Sequence, residues 1–537
     1  MKLKSFMYIM LLLALSMVIV ACSNDKEEAD KSKEEDKTET TDTEKEDNAE
    51  VEEGGELQVA VPAQPPTLDV VTTTATAARD ISQHIYEALV TYNSKLEVEP
   101  MLAESYDISE DGKTVTFHLR EGIKFHNGDD LTADDVVASM ERWQGLSSSA
   151  KTFIDGTTYE ATDAKTVVAH IVKPSVLDMF IFADMTQFAA IMPKSIIDAA
   201  SADGVDEYIG TGPYKFEEWK QDQYIHLTKY SDFISRTEAP DGLSGEKKAI
   251  SSDIFFNFLT DPSTRVAGLM SAEYDVATAI PQDNVKLLDS NDDLKTKIVP
   301  SSLLVAMFNN KVGAFTDKKM RQAVNAAINV EDVLISAYSN EEFFVKDHAL
   351  VKDKESGWYT DEGSEEYNSF DPEKAKELLK EAGYNGEEIV LLTIREYESF
   401  YNSAVVIQQQ LEAVGINLKL DVRDAASALE LTKDENAWDI WIDEFAFRPL
   451  PVQQLFLNPE YMGWPNSPAL ADINDKILYA PTLEAAQEFS PDFHKIFWDE
   501  VTTVKLGNNS NVTGMQEGME GYQFISGPIL WNVSSSK

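Results

Sequence analysis

The 537-residue sequence contains a single cysteine, Cys22, and only seven histidines. One cysteine can form neither an intramolecular disulfide nor a thiolate metal cluster, so packing and hydrogen bonds must supply the stability. The histidines, at positions 84, 118, 126, 170, 226, 348 and 494, show no metal-ligand spacing. The Gly-x-Ser-x-Gly and His-Glu-x-x-His motifs of hydrolases are also missing. We therefore expect a protein that is not an enzyme and uses neither a metal nor a cofactor.

Basic residues are scarce, because 46 lysines and arginines stand against 94 aspartates and glutamates, for a net charge of −48. Residues 23–53 contribute −10 and residues 1–22 contribute +2, which leaves −40 on the remainder. Phosphate binding needs a basic surface, so this charge excludes nucleic acid as a partner, and it would repel anionic lipid headgroups. Two interpretations stay open: self-repulsion that favours solubility in salty or alkaline surroundings, and steering of cationic ligands.

The first residues have the pattern of a secretion signal. Lys2 and Lys4 precede an apolar run from about residue 6 to residue 20, which is short for a membrane span. Ile19-Val20-Ala21-Cys22 resembles a bacterial lipobox, which implies a signal peptide over residues 1–21 and lipidation of Cys22. Several acyl chains on one residue would hold the protein at a membrane. The alternative is an uncleaved signal anchor with an incidental cysteine.

Residues 22–54 form a low-complexity segment after the signal. They are rich in Glu, Asp, Lys and Thr and contain almost no large apolar residue. Such a segment cannot bury enough surface to offset the entropy of ordering it, so we expect a disordered acidic linker. Like charges extend a linker of this kind, which suits a tether between a lipid and a folded body.

Beyond residue 54 the sequence mixes strand and helix patterns. Alternating apolar and polar residues predict strands at 56–61, 114–120 and 416–420. Thr132 and Asp135 resemble a capping box and predict a helix over 133–143. Further helices are predicted over 372–382, after the N-cap Asp371, and over about 403–414. Strands and helices that mix along the whole chain predict an α/β or α+β fold.

Five segments, in order, resemble the extracellular solute-binding proteins of peptide and nickel ABC importers. They lie at residues 87–128, 210–219, 317–328, 371–384 and 408–416 and include Gly210-Thr211-Gly212-Pro213-Tyr214, Arg321-Gln322-Ala323 and Gln408-Gln409-Gln410-Leu411. The resemblance covers about residues 55–530. It implies an α/β, periplasmic-binding-protein-like receptor with two hinged lobes, a ligand cleft between them and an additional third domain. The implied domains are I (55–92, 205–298 and 511–537), II (93–204) and III (299–510).

The resemblance also implies a function. The chain would be a monomeric, lipid-anchored receptor on the extracellular face of the cell membrane of a bacterium, of Gram-positive type. It would capture a peptide or peptide-like solute and deliver it to the permease subunits of an ABC importer, with the lipid as its one membrane contact. The alternatives are a receptor for an oligosaccharide, an opine or a metal chelate, a signalling or adhesion lipoprotein, and an extracellular hydrolase.

Residues 439–451 hold candidate ligand contacts. Peptide-binding members of the family often contain a Gly-Trp pair that is followed, after two residues, by an Asp and shortly afterwards by a Pro. In those proteins the Asp pairs with the α-ammonium of the ligand. Matching Phe445 to that Trp and Pro451 to that Pro puts Arg448 at the Asp position, with the opposite charge. A buried ammonium needs an anion, so either Asp443 or Glu444 supplies it, or the ligand presents an anion to Arg448. For Arg448, a structural ion pair is the alternative.

Aromatic residues complete the candidate site. Trp441 and Phe445 lie in an aromatic cluster with Trp438 and Phe447, and such clusters more often form core than pocket. Trp358 and Trp464 lie in loop-like stretches, which favours a place in a pocket. The predicted ligand-binding residues are Arg448, Asp443, Glu444, Trp441, Phe445, Trp464 and Trp358.

Overall fold

The computed structural model describes residues 54–535 except for residues 202, 203 and 396. The predicted signal peptide, the lipidation site Cys22 and all but the last residue of the predicted linker lie outside the described residues. Within the part of the chain that the structure describes, no helix is both long and apolar enough to cross a membrane.

Strands occur along the whole described chain. In order they are β1 (Glu56–Val61), β2 (Val90–Tyr92), β3 (Val98–Pro100), β4 (Ala103–Ile108), β5 (Thr114–Leu119), β6 (Thr158–Asp163), β7 (Thr166–His170), β8 (Tyr214–Lys220), β9 (Tyr224–Lys229), β10 (Asp253–Phe258), β11 (Val276–Ala277), β12 (Leu294–Phe308), β13 (Phe344–Val345), β14 (Ile389–Ile394), β15 (Leu418–Arg423), β16 (Ile440–Ala446), β17 (Thr503–Gln516), β18 (Met519–Glu520), β19 (Gln523–Phe524), β20 (Pro528–Ile529) and β21 (Ser534–Ser535).

Helices alternate with these strands. They are α1 (Thr76–Ser82), α2 (Ala133–Leu146), α3 (Ser148–Phe153), α4 (Asp178–Phe182), α5 (Lys194–Ala199), α6 (Pro262–Met270), α7 (Val285–Asp289), α8 (Lys318–Ala327), α9 (Val330–Tyr338), α10 (Pro372–Glu381), α11 (Glu398–Ala413), α12 (Ala425–Leu431), α13 (Pro468–Leu478), α14 (Leu483–Gln487) and α15 (Ser490–Glu500). Short 3-10 helices lie at Gln282–Asn284, Ala314–Thr316, Glu341–Phe343, Ser364–Glu366, Pro451–Gln453 and Leu455–Leu457. The mixture confirms the predicted α/β class.

Most predicted elements appear where their patterns place them. The strand β1 matches the alternation over residues 56–61, and Leu57 and Val59 are buried. The helix α2 begins after Thr132, whose hydroxyl accepts the amide N–H of Asp135 while the Asp135 carboxylate accepts the N–H of Thr132, a complete capping box. The helix α10 begins with Pro372 after the N-cap Asp371.

Two predicted boundaries are wrong. The helix α11 begins at Glu398 instead of Ser403, because Tyr397 at its N-cap makes no side-chain cap hydrogen bond and leaves no signal in the sequence. The strand β15 begins at Leu418 instead of Ile416. The N–H of Ile416 donates to the carbonyl of Leu411, so this residue still belongs to the end of α11.

One large mixed sheet runs through the described chain. Its order is β15-β14-β16-β12-β17-β11-β1-β10-β9-β8, and β13 also pairs with β17. On one side β14, β15 and β16 are mutually parallel, and on the other side β1, β10 and β11 are parallel. A separate sheet, β4-β5-β7-β6, packs against α2.

The long strands β12 and β17, called here the crossover strands, join the two sides of the large sheet. They pair antiparallel from Leu294 opposite Gln516 to Met307 opposite Thr503. The first part of β12 and the strand β11 pair with the same end of β17, on its two opposite edges. From Ser302 onward, β12 also pairs with β16. The register shifts between Pro300 and Ser302, so a bulge marks the change from one side to the other. We call this place, with Asn509 opposite Ser302, the junction.

Candidate ligand-binding site

Strand directions locate a candidate site at the junction. The strand β16 runs antiparallel to β12, whereas β11 runs antiparallel to β17 and therefore in the direction of β12. The two parallel sets thus run in opposite directions, and the carboxyl ends of both point toward the junction. In sheets of this kind, ligands bind outside the carboxyl ends of parallel strands. A binding site is therefore expected at the residues that follow β14 and β16.

The strand β16 offers a free edge at its carboxyl end. It pairs with β12 from Ile440 to Ala446, but with β14 only at Ile440 and Trp441. Among the described strands, none pairs with the second edge of residues 442–446. An exposed strand edge can accept an extended peptide as an additional strand.

Glu444 lies on one face of β16 and is surrounded by hydrogen-bond donors. Its carboxylate accepts from the hydroxyl of Tyr338 at 2.8 Å, from Ser302 and Ser399 at 3.2 and 3.3 Å, and from the amide of Asn509 at 2.6 Å. All four partners are neutral. Burial raises the pKa of the Glu444 carboxyl, and these hydrogen bonds act in the opposite direction.

Asp443 points to the other face of β16, because successive side chains in a strand alternate. Its carboxylate accepts the indole N–H of Trp441 at 3.0 Å and the backbone N–H of Glu444 at 2.8 Å. Burial raises the pKa of Asp443 to about 6. Trp441 is buried beside it, and Phe445 packs against the rings of Phe456 and Tyr461. The carboxylates of Asp443 and Glu444 therefore lie on opposite faces of β16, and the side chains of Trp441 and Phe445 belong to the core.

Arg448 follows the carboxyl end of β16 and bridges distant parts of the sequence. Its guanidinium donates to the carboxylate of Asp184 at 3.3 Å and to the hydroxyl of Thr186 at 3.1 Å. Asp184 also accepts from the hydroxyl of Ser149 and the N–H of Thr186. The side chain of Arg448 keeps 22% of its surface exposed, so it reaches solvent as well as its ion pair.

Trp464 lies away from this group. It stacks on Trp438, with ring centroids 5.9 Å apart, and Lys311 lies over its ring. Trp438 precedes the amino end of β16, whereas Arg448 follows the carboxyl end, so the seven-residue strand separates them by roughly 20 Å. The structure therefore does not bring Trp464 together with Arg448.

Trp358 lines a cavity of about 900 Å³. One wall comes from residues 95–180 and the other from residues 353–358 and 479–487, with Pro449, the neighbour of Arg448, between them. The walls meet where the N–H of Val176 donates to the carbonyl of Leu478 at 3.0 Å. Trp358 itself is only 3% exposed, so it supports the wall more than it reaches into the space.

The cavity also contains residues that the sequence did not single out, among them Glu99, Asp178 and Tyr479. They come from separate segments, and 94 carboxylates in the chain left no pair or motif to distinguish these. Within the part of the chain that is described, no group of three or more His, Cys, Asp or Glu residues could hold a metal ion.

Comparison with known proteins gives consistent matches. The model of the bacterial extracellular solute-binding proteins, family 5, matches residues 97–462. The "probable peptide ABC transporter periplasmic-binding protein" of Sinorhizobium fredii is 28% identical over 493 residues, which cover 87% of this chain and 91% of that protein.

Solved structures show the same fold. The oligopeptide-binding protein AppA from Bacillus subtilis, in complex with a nonapeptide, matches with a TM-score of 0.73 at 22% identity, over 91% of this chain and 100% of that one. The protein AgaA from Agrobacterium tumefaciens, in complex with agropinic acid, matches with a TM-score of 0.74 at 24% identity, over 90% and 99% of the two chains.

Proposed function

Because the chain belongs to the bacterial extracellular solute-binding proteins of family 5, the non-enzymatic substrate-binding proteins of ABC importers, we propose that its substrate is a peptide. The free edge of β16 beside the junction carries this proposal. An extended peptide pairs with this edge through main-chain hydrogen bonds, which are independent of its side chains. The N–H of Glu444 already donates to the Asp443 carboxylate, so a peptide would have to replace that bond to pair with residue 444. The nonapeptide in the Bacillus subtilis structure and the peptide importer named for the Sinorhizobium fredii relative support the same substrate class.

Charged residues at the end of β16 recognise the ends of the peptide. Arg448 binds a carboxylate of the ligand, because a guanidinium forms two parallel hydrogen bonds with a carboxylate and this one is still partly exposed. Glu444 or Asp443 binds the ammonium, since both carboxylates have neutral partners. Trp441 and Phe445 give β16 rigid support from the core, Trp358 supports the cavity wall, and Trp464 supports the opposite end of β16.

Ligand capture closes a cleft about the junction. We assign domain I to residues 55–92, 205–298 and 511–537, domain II to 93–204 and domain III to 299–510. The bulge between Pro300 and Ser302 then lies where the first crossover strand passes from domain I to domain III. A ligand that contacts both sides favours the closed form by its differential affinity for it.

The protein acts outside the cell, held by a lipid on Cys22. The lipobox-like residues 19–22 and the acidic segment that follows support this attachment. The segment lets a monomeric receptor reach the permease subunits of its importer in the same membrane. Mass spectrometry of the membrane-extracted protein should find a diacylated or triacylated Cys22 at the amino terminus, and a chain that begins at Met1 would contradict the anchor.

Calorimetry with a charge-exchange pair tests the proposed role of Arg448. We expect Arg448→Asp to weaken peptide binding about 10- to 100-fold, the loss of a charged hydrogen bond to the ligand. The reversed pair, Arg448→Asp with Asp184→Arg, restores the ion pair but leaves the ligand carboxylate without its partner, so binding stays weak. Full recovery in the reversed pair would reduce Arg448 to a structural role.

Ligand that copurifies with unheated protein tests the substrate class. Native mass spectrometry should detect peptides in the wild-type protein. A copurified carbohydrate, metal chelate or opine, such as the agropinic acid bound by AgaA, would contradict the proposal that the substrate is a peptide. It would not change the assignment of the chain to its family.

A further inference from the structure

The cavity beside Arg448 has a strongly one-sided charge. Seven carboxylates and one lysine, Lys95, line it among the described residues. Lys95 lies at the rim and approaches the exposed Glu355 at 3.9 Å. An anion that entered would meet like charges on both walls, whereas a cation would be attracted from both.

The most buried carboxylate that lines the cavity has no cationic partner among its hydrogen bonds. Asp178 is 5% exposed, and its two oxygens accept from the N–H and the hydroxyl of Ser175, both at 2.9 Å. Glu99 is partly buried on the same wall. Burial raises the pKa of Asp178 to about 6, because this carboxylate has left water without gaining an opposite charge.

Aromatic rings complete the lining. Tyr106 lies on one wall and Tyr479 on the other, whereas Phe180 and Trp358, which also line the cavity, are almost fully buried. A cation over such a ring is attracted by the electrons of its face. One example lies beside the cavity, where the ammonium of Lys173 is 3.8 Å from the centroid of Tyr479. The lining therefore suits an apolar stem that carries a positive charge.

We propose that this cavity binds an arginine or lysine side chain of the captured peptide. The inference rests on the proposed peptide-binding function and names the substrate class more narrowly. Pro449 lines the cavity directly after Arg448, so the cavity is within reach of a side chain of a peptide bound at the edge of β16. The walls come from residues 95–180 and 353–487, so closure surrounds the basic side chain with carboxylates and rings. The peptide ends bind at β16, whereas the cavity selects the side chain.

Calorimetry with matched peptides tests the proposal. The probes are tetra-alanine and its derivatives with one Arg, Gln or Glu at each position. We expect Arg at one position to bind roughly 10-fold tighter than Gln, and Glu there to bind more weakly than Gln. N-acetyl-arginine amide, which has no charged terminus, should also bind weakly, and N-acetyl-citrulline amide should not.

Two variants assign the preference to the cavity. Asp178→Asn and Glu99→Gln should each reduce the Arg-over-Gln ratio at least about 3-fold while the affinity for tetra-alanine stays unchanged. Glu412→Gln, which removes an exposed carboxylate on α11 outside the cavity, should leave the ratio as it is. Glu99→Gln keeps the test valid should Asp178→Asn fail to fold, since Asp178 also begins α4.

The outcomes separate the two proposals. Peptides that bind without a preference for Arg, or with a preference that both variants retain, would overturn the cavity assignment and leave peptide capture in place. Binding of N-acetyl-arginine amide without binding of any peptide would overturn the proposed function instead. Absence of binding by every probe would overturn both.

Discussion

Lys505 ties the loop before the cavity wall to a crossover strand. It lies fully buried on β17, and its ammonium donates to the carbonyls of Asp347 and Ala349. Residues 353–358, a few positions further along the same loop, form part of the cavity wall. Burial lowers the pKa of Lys505 to about 7, and the nearby carboxylate of Asp347 acts in the opposite direction. The protonation state of one buried amine therefore affects the hydrogen bonds that hold this loop against β17.

The sign of the resulting pH dependence follows from proton binding. Between pH 7 and pH 10 the unfolded chain keeps the Lys505 proton, whereas the folded chain has lost it, so the contribution of this residue to stability rises with pH. The slope approaches about 1.4 kcal/mol per pH unit for one proton. Lys505→Met should flatten the rise of unfolding free energy between pH 7 and pH 9, measured by urea denaturation.

A matched lysine gives the control. Lys286→Met changes an exposed residue of α7 and should leave the slope of the wild-type protein in place. Equal slopes for Lys505→Met and the wild type would show that the folded protein keeps the Lys505 proton throughout this pH range.

At the scale of the elements, Asn509 joins three strands at the junction. Its side-chain oxygen accepts from the hydroxyls of Ser301 and Ser302 at the bulge of β12, while its amide N–H donates to Glu444 on β16. A bulge usually weakens strand pairing, since one residue loses its partner. Here the side chain of Asn509 on the opposite strand accepts hydrogen bonds from both serines, so the irregular pairing still leaves these polar groups with partners.

Removal of this side chain should destabilise the protein. Asn509→Ala leaves the Glu444 carboxylate without one of four donors, which should lower the free energy of unfolding by about 1–3 kcal/mol. The neutral side chain of a Glu444→Gln variant needs fewer donors than the carboxylate. Asn509→Ala should therefore lower the free energy of unfolding by less in the Glu444→Gln protein than in the wild type. Equal costs in both backgrounds, measured by urea denaturation, would place the effect outside this hydrogen-bond network.

Much of the fold could be predicted because its signals are local. Thr132 and Asp371 cap their helices through side chains that the sequence displays. The start of α11 had no such cap, so its first turn was missed. The candidate site depends on long-range contacts: Arg448 meets Asp184, 264 positions away, and the loop tryptophans Trp358 and Trp464 look alike in sequence although only Trp358 lines the cavity.

At the scale of the whole molecule, the large negative net charge destabilises the compact folded state. The sequence beyond residue 53 carries a net −40, and self-repulsion of this size disfavours the folded state. Dissolved salt screens such repulsion, since the Debye length falls from about 30 Å at 0.01 M to about 3 Å at 1 M. The acidic surface is therefore better suited to a medium of high ionic strength.

Thermal unfolding should show this directly. We expect the melting temperature to rise by a few degrees as NaCl increases from 10 mM to 0.5 M, at roughly 2–4 °C per kcal/mol for domains of 150–250 residues. The control is the melting temperature in sucrose of equal osmolality. Sucrose is excluded from the protein surface but does not screen charge, so it should not reproduce the part of the increase that comes from screening. A melting temperature that falls with NaCl would mean that favourable ion pairs outweigh the repulsion.

The two walls of the cavity touch through weak contacts. They include the hydrogen bond from Val176 to Leu478, the approach of Lys95 to Glu355 and the ammonium of Lys173 on the ring of Tyr479. Each such contact contributes about 1 kcal/mol or less in water. The ion pair between Arg448 and Asp184 adds to these contacts but is partly exposed, so a bound ligand supplies most of the free energy that closes the cleft. The same weakness favours release of the ligand, because an importer that separates the two walls has to break mainly the contacts between the walls and the ligand.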